Sequence, residues 1–163
     1  MKKNVLITGI TGQDGTFLTK QLLDTDSYNI IGTSRDKNHE EFYQRLKYLK
    51  LNSEKLINLK ITTGDLLNQK DKIESEIKNI KFDYVYNLMG PGSVYGSVIE
   101  PFNSSYTIVS SFKNLLNAFL ETKQSPIFFQ TSSSEMFGSV DQKPLEENSQ
   151  FNPISPYANS KYY

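Results

Sequence analysis

Three groups of residues in this chain have types and spacings that could do chemistry. Gly9, Gly12 and Gly15 recur at intervals of three in Gly9-Ile10-Thr11-Gly12-Gln13-Asp14-Gly15. Glycines so placed let a backbone approach an anion closely, and a helix starting there offers unpaired N–H groups to a pyrophosphate. Tyr157 and Lys161 stand four residues apart in Ser155-Pro156-Tyr157-Ala158-Asn159-Ser160-Lys161. An ammonium one helical turn from a phenol favours phenolate, the form that can take a proton. The third group is Gln130-Thr131-Ser132-Ser133-Ser134-Glu135-Met136-Phe137-Gly138. Its hydroxyls could hold a substrate oxygen against Tyr157, although a turn-capping serine cluster would look the same. Glu135 adds a carboxylate that a plain alcohol oxidation does not need. Cofactor cradle, acid/base pair and extra carboxylate together describe a redox enzyme.

These groups need a scaffold, and the chain alternates strand-like with helix-like segments. Strands are expected at Asn4–Thr8, Tyr28–Thr33, Leu59–Thr62, Asp83–Leu88 and Pro126–Thr131, with helices at Gly15–Leu23, Glu40–Leu51, Lys70–Ile80 and about Asn103–Glu121. That order predicts an α/β fold, a doubly wound and mostly parallel sheet of Rossmann type. In such sheets ligands bind beyond the carboxyl ends of the strands. The glycine turn follows the first strand. Ser34-Arg35-Asp36 follows the second, where Arg35 suits a 2′-phosphate and Asp36 could instead take a ribose hydroxyl. NADP is therefore favoured over NAD. Gly64-Asp65-Leu66 follows the third; Asp65 either accepts from the adenine amino group or simply forms a turn. Leu88, Met89 and Gly90 follow the fourth and would line the cofactor's other side, and Gly90-Pro91-Gly92 is a second glycine turn. Tyr43 and Lys47 share the Tyr–Lys spacing but read as a helix surface pair.

Composition narrows the rest. The chain has 163 residues, enough for one domain with a substantial core. Eighteen basic and eighteen acidic residues cancel, so nothing favours nucleic acid or an anionic membrane as partner. Cysteine is absent, which removes disulfides and thiolate chemistry. The one histidine, His39, lacks partners for a metal site and reads as a solvated side chain. No apolar run approaches a membrane span, and Met1-Lys2-Lys3 leads into a strand, so a cytoplasmic protein is expected. Asp141–Pro156 reads as a proline-bearing loop. Because Tyr162-Tyr163 falls inside the helix carrying Tyr157 and Lys161, residues 1–163 read as the N-terminal, dinucleotide-binding portion of a longer protein whose substrate domain is missing.

Taken together, the segments resemble the extended short-chain dehydrogenase/reductases, and within them the GDP-mannose 4,6-dehydratases. The likeness rests on Thr8–Gly15, Gly64-Asp65-Leu66, Asn87-Leu88, Ser133-Ser134-Glu135-Met136-Phe137-Gly138 and Ser155-Pro156-Tyr157-Ala158 with Lys161. The Gln13-Asp14 insertion and the Ser-Glu-Met-Phe-Gly block are its sharpest parts. The resemblance implies an NADP-dependent lyase acting on a nucleotide sugar, GDP-mannose first among them. Tyr157 would deprotonate the sugar 4-hydroxyl while NADP takes the C4 hydride, with Lys161 holding the nicotinamide ribose. Glu135 would remove the C5 proton as water leaves C6, and hydride would return to C6. The hydroxyl of Ser133, where the family usually has Thr, would bond the 4-oxygen. The resemblance implies cofactor contacts from Gly9, Thr11, Gly12, Gln13, Asp14, Gly15, Arg35, Asp65, Leu66, Leu88, Met89, Gly90, Tyr157 and Lys161. It also implies a homo-oligomer, dimer or tetramer, and no metal.

Epimerases and reductases of the superfamily usually lack a carboxylate where Glu135 stands, and the dTDP-glucose dehydratases carry Asp where this chain has Ser134. The chain departs from the family at Met89-Gly90-Pro91-Gly92-Ser93-Val94, at Ser111-Phe112 and at Tyr106. A nucleotide-sugar epimerase or reductase, or a non-catalytic NADP-binding fragment, therefore stays open, and residues 1–163 alone are expected to be inactive.

Overall fold

The computed structural model describes residues 1–139 and 144–163. The first residues of the expected loop, 141–143, lie outside the described residues; from 144 to 155 the chain is irregular, as expected. In order the elements are β1 (Lys3–Thr8), α1 (Gln13–Asp24), β2 (Tyr28–Ser34), α2 (Glu40–Tyr48), β3 (Leu59–Thr63), α3 (Lys70–Asn79), β4 (Tyr84–Asn87), α4 (Val94–Ile99), α5 (Pro101–Glu121), β5 (Ile127–Gln130) and α6 (Pro156–Tyr162). Two short 3₁₀ turns, Ser53–Asn58 and Ser134–Phe137, complete them.

The five strands form one sheet in the order β3-β2-β1-β4-β5, and each pairing is parallel. Thr8 pairs with Thr33 on one side and Asn87 on the other, and Asn87 pairs with Gln130. The carboxyl ends of four strands are thus level, so the segments that leave them share one edge.

Strand periodicity explains why helices cover both faces. Val5, Ile7 and Ile30 turn to one face and pack with Leu22 and Leu23 of α1 and Phe42 and Leu46 of α2. Leu6, Ile31 and Val85 turn to the other and pack with Ile73 and Ile77 of α3 and Leu115, Ala118 and Phe119 of α5. Each such side chain contributes about 1.5–3 kcal/mol on burial, so the two cores anchor the level edge firmly. The doubly wound α/β expectation holds.

Two departures from the sequence reading have local reasons. Helix α2 stops at Tyr48 rather than Leu51 because Lys50 sits in the left-handed region (φ 59°) and Leu51 N–H donates back to the Leu46 carbonyl at 3.0 Å. That is a Schellman-type ending built without glycine. Helix α4 was not expected at all. Its N-cap Ser93 accepts from Gly96 N–H, and only six residues follow, too few to show a period.

The described residues form two compact units. The first, Met1–Met89 with Phe112–Gln130, holds the sheet and its cores. The second, Gly90–Ser111 with the described part of Thr131–Tyr163, holds α4, the start of α5, the second 3₁₀ turn and α6. Inside the second unit, Phe137, Phe151 and Tyr162 stack in a row at centroid separations of 4.8 and 5.1 Å. Asn152 N–H donates to the Met136 carbonyl, and Gly138 (φ 60°) lies so near Asn152 that a Cβ would fall 2.0 Å from its carbonyl oxygen. The 3₁₀ turn and the stretch before α6 are thereby fixed to each other.

Candidate functional site

The first unit carries the glycine turn. Thr8 ends β1 with its hydroxyl donating to Asn87 Oδ1 at 2.5 Å, and Asn87 Nδ2 donates to Gln130 Oε1 at 2.6 Å. This row of side-chain bonds ties together the ends of β1, β4 and β5. Gly9 then turns with φ 67°, and a Cβ there would lie 3.1 to 3.2 Å from the Leu88 carbonyl and Met89 Cα. Both the backbone angle and the close approach require glycine. The backbone of Leu88 and Met89 is thus pressed against the turn.

Ile10 plunges into the core, fully buried, and lies over Gly32 of β2, where a Cβ would fall 2.4 Å from Ile10 Cδ1. Gly12 N–H closes the turn on the Gly9 carbonyl at 3.0 Å, and Gly12 becomes the N-cap of α1. Thr16 bonds the Gly12 carbonyl through both its N–H and its hydroxyl. A Cβ on Gly15 would fall 2.4 Å from the Ile10 carbonyl oxygen, so α1 can seat on the turn only with glycine there.

No side chain caps α1, and Gly12, Gln13 and Asp14 are exposed at its start. Free helix N–H groups behind a glycine turn fit the pyrophosphate of a dinucleotide. Thr11 flanks them, its hydroxyl 3.1 Å from that of Ser34 and its carbonyl accepting from Arg45 Nη2 at 2.5 Å. Beside it a cleft of about 500 Å³ is lined by Thr11, Asp36, Lys37, Asn38, Phe42 and Arg45 among others.

Arg35 is exposed at the end of β2, and its charge acts on Asp65. Burial raises the Asp65 carboxyl, but the N–H groups of Asn68 and Leu67, the Asn68 amide and Arg35 outweigh it and hold the group below its ordinary value. Asp65 Oδ1 accepts from Leu67 and Asn68 N–H at 2.8 and 2.6 Å, so the turn-forming role is realised. Leu66 buries its side chain completely in the core, which leaves only its backbone for a ligand; its carbonyl accepts from Asn114 Nδ2 at 2.6 Å. His39 is partly exposed, with Nε2 2.7 Å from the Asp36 carbonyl.

The second unit carries the chemical groups. Tyr157 and Lys161 lie on α6, with Lys161 Nζ 5.9 Å from the Tyr157 ring centre. Lys161 Nζ donates to the Thr131 carbonyl at 3.3 Å, and burial lowers its pKa from the usual lysine value. A Cβ on Gly90 would stand 3.9 Å from that ammonium, so the glycine leaves space beside it. Ser133 is the N-cap of the Ser134–Phe137 turn, its Oγ accepting from Glu135 N–H at 3.2 Å. Accepting leaves the hydroxyl proton free to donate. Glu135 is exposed. Phenol, ammonium, hydroxyl and carboxylate therefore belong to one unit; the glycine turn, Arg35, Asp65 and Leu66 belong to the other.

Three contributors escaped the sequence reading. Arg45 sits inside the Tyr43–Lys47 stretch read as helix surface, and only its fold brings it to Thr11. Gly32 lies inside the second strand, and nothing in its local sequence marks it as the seat of Ile10. Ser97, buried in α4, accepts from Tyr157 N–H, and no local motif marks it. Among the described residues no group of three or more metal-ligating side chains occurs, and no helix is long and apolar enough to cross a membrane.

Comparison with known proteins places the chain in a family and a fold. The family model for GDP-mannose 4,6 dehydratase matches residues 6–163. A GDP-mannose 4,6-dehydratase of Vibrio cholerae serotype O1 is 35% identical over 99% of the chain, and GDP-mannose 4,6 dehydratase 1 of Arabidopsis thaliana is 33% identical over 98%. The chain spans 43% and 45% of their own lengths. Among solved structures, a UDP-N-acetylglucosamine 4-epimerase from Methanobrevibacter ruminantium is similar with a TM-score of 0.79 and 29% identity, covering 99% of this chain and 48% of that one. The UDP-glucose 4-epimerase of Bifidobacterium longum, solved with NAD+ and UDP, shares the fold with a TM-score of 0.84 at 22% identity, covering 98% and 46%.

Proposed function

The chain belongs to the GDP-mannose 4,6-dehydratase family, and from that premise we propose that it is the dinucleotide-binding portion of a nucleotide-sugar 4,6-dehydratase using NADP and GDP-mannose. The observation that carries this reading is Glu135, an exposed carboxylate on a short turn of the unit that also holds Tyr157 and Lys161. Tyr157 and Lys161 alone would suit any alcohol oxidation; the carboxylate supplies a second base.

When bound, the nicotinamide accepts hydride from the sugar and returns it, so the cofactor is regenerated. The chain's own residues handle the protons. Tyr157 takes the proton of the 4-hydroxyl, and the ammonium of Lys161 beside its ring offsets the charge that develops. Ser133 donates its free hydroxyl proton to the 4-oxygen. The resulting ketone acidifies the C5–H bond; Glu135 removes that proton and delivers it to the C6 hydroxyl, which leaves as water, and C5 recovers a proton from Tyr157 as hydride returns to C6. The glycine turn and the start of α1 hold the pyrophosphate, and Arg35 pairs with the 2′-phosphate that distinguishes NADP from NAD.

Incubating the complete natural polypeptide with GDP-mannose and NADP is expected to yield a 4-keto-6-deoxy sugar with no net NADPH. Net cofactor reduction, or an epimer as product, overturns the reading. The second outcome would favour a nucleotide-sugar epimerase, the activity named for the 29% identical solved relative.

A further inference from the structure

We propose that Ser97 is a positioning residue for Tyr157, acting through the backbone of α6; the inference rests on the reading of Tyr157 as the proton acceptor. A side chain can be aimed only as well as the backbone that bears it, and α6 has just seven residues. Four N–H groups at a helix start lack partners inside the helix. At the first three positions of α6 each is accounted for. Pro156 has none to offer, and Ala158 N–H donates to the N-cap hydroxyl of Ser155 at 3.0 Å; the first bond inside the helix then runs from Asn159 N–H to the Ser155 carbonyl at 2.9 Å.

The remaining one, Tyr157 N–H, donates to Ser97 Oγ at 3.1 Å. This is the one partner in the set that comes from another element. Ser97 is 1% exposed, and its own proton goes to the Val94 carbonyl at 2.6 Å. With that proton committed, the hydroxyl faces Tyr157 purely as an acceptor. The back-bond holds Ser97 in α4, and α4 in turn holds the residue whose phenol does the chemistry. A second tether, Ser160 Oγ to Ser105 Oγ at 2.8 Å, stops α6 from rolling on α5. Rotation and register of the helix are thereby set by two serines outside it, of which Ser97 touches the reactive residue's own peptide.

Tyrosine and sugar hydroxyl must meet within hydrogen-bond reach, and a displacement of about 1 Å can lower a rate about 10²-fold. Ser97→Thr and Ser97→Val isolate the oxygen, because the two side chains share a shape and differ in that atom. In the complete natural polypeptide, Ser97→Thr is expected to keep kcat, while Ser97→Val lowers it by about 10²-fold. KM for the nucleotide sugar and Kd for NADP should stay unchanged in both, and the ¹³C resonance of Tyr157 should move only in Ser97→Val. Equal kcat in the two variants, or a loss confined to KM, overturns the inference. Tyr157→Phe is run alongside. If it abolishes turnover while Ser97→Val does not, the inference alone falls; if it retains turnover, the proposed role of Tyr157 falls first and takes the inference with it.

Discussion

Lys161 Nζ stands 5.9 Å from the centre of the Tyr157 ring, one turn further along the same helix, with its ammonium bonded to the Thr131 carbonyl. The chain has therefore half-buried a cation near a phenol, and that burial lowers the pKa of the cation. Stability and chemistry pull in opposite directions here. A lysine whose folded pKa is depressed binds fewer protons folded than unfolded just below its ordinary value of 10.5, so stability rises with pH through that window.

Lys161→Met is accordingly expected to make the chain more resistant to urea at pH 7 and to flatten the alkaline rise, while removing turnover from the complete polypeptide. Urea midpoints at pH 7 and near pH 10 check the first part. A less stable variant at both would show that the bond to Thr131 outweighs burial.

Tyr157→Phe is expected to lower kcat by about 10²–10⁴-fold, the usual contribution of a positioned acid/base, with NADP affinity retained. Glu135→Gln should instead leave the C4–H step and lose dehydration. A trapped 4-ketone with reduced cofactor, read at 340 nm, is the signature that separates the two roles.

Arg35→Ser should raise the Kd of NADP about tenfold and leave that of NAD unchanged, since a charged hydrogen bond is worth about 1.5–3 kcal/mol. Fluorescence titration of residues 1–163 with both cofactors measures it. The same 163 residues are expected to bind cofactor without turning over GDP-mannose. If Arg35→Ser leaves NADP binding intact, Arg45 and Lys37 at the neighbouring cleft are the cations to test.

Asp65 sets an acid limit. Its folded carboxyl titrates below 3.8, so the stability it contributes is complete above that value and is lost as pH falls through the lower folded one. Asp65→Ala should flatten the acid limb of stability against pH and lower the urea midpoint at pH 7, with the difference vanishing at the lowest pH. An unchanged acid limb would put the transition on other carboxylates.

Gly15→Ala would drive a Cβ to within 2.4 Å of the Ile10 carbonyl oxygen. Backbone on both sides cannot yield, so a loss of about 3 kcal/mol or more is expected, at the upper end of overpacking costs. Thermal unfolding checks it, with Gly12→Ala, which meets only one atom at 3.3 Å, as the milder control.

Much of the scaffold was legible because its signals are local. Val5 to Ile7 and Ile30-Ile31 read as buried strands, and the Gly9–Gly15 turn announces the angle and the clearance it needs. Ser155 before Pro156 marks the start of α6. What stayed hidden depends on partners far away in sequence. Ser97 is one serine among many until α4 brings it to Tyr157, 60 positions away. Arg45 is helix surface until β1 and α2 set it beside Thr11. Helix α4 is too short for any periodicity to declare it, and Lys50 ends α2 in a conformation that sequence usually signals with glycine.

The hollow at Gly32 makes β2 a mould for the isoleucine of the glycine turn. A substitution at position 32, in mid-strand and outside the turn itself, would lift Ile10 and splay the turn that Ile10 anchors. Such a variant would surface in a screen as a weak cofactor binder rather than as a misfolded sheet, and its cause would be sought in the wrong place.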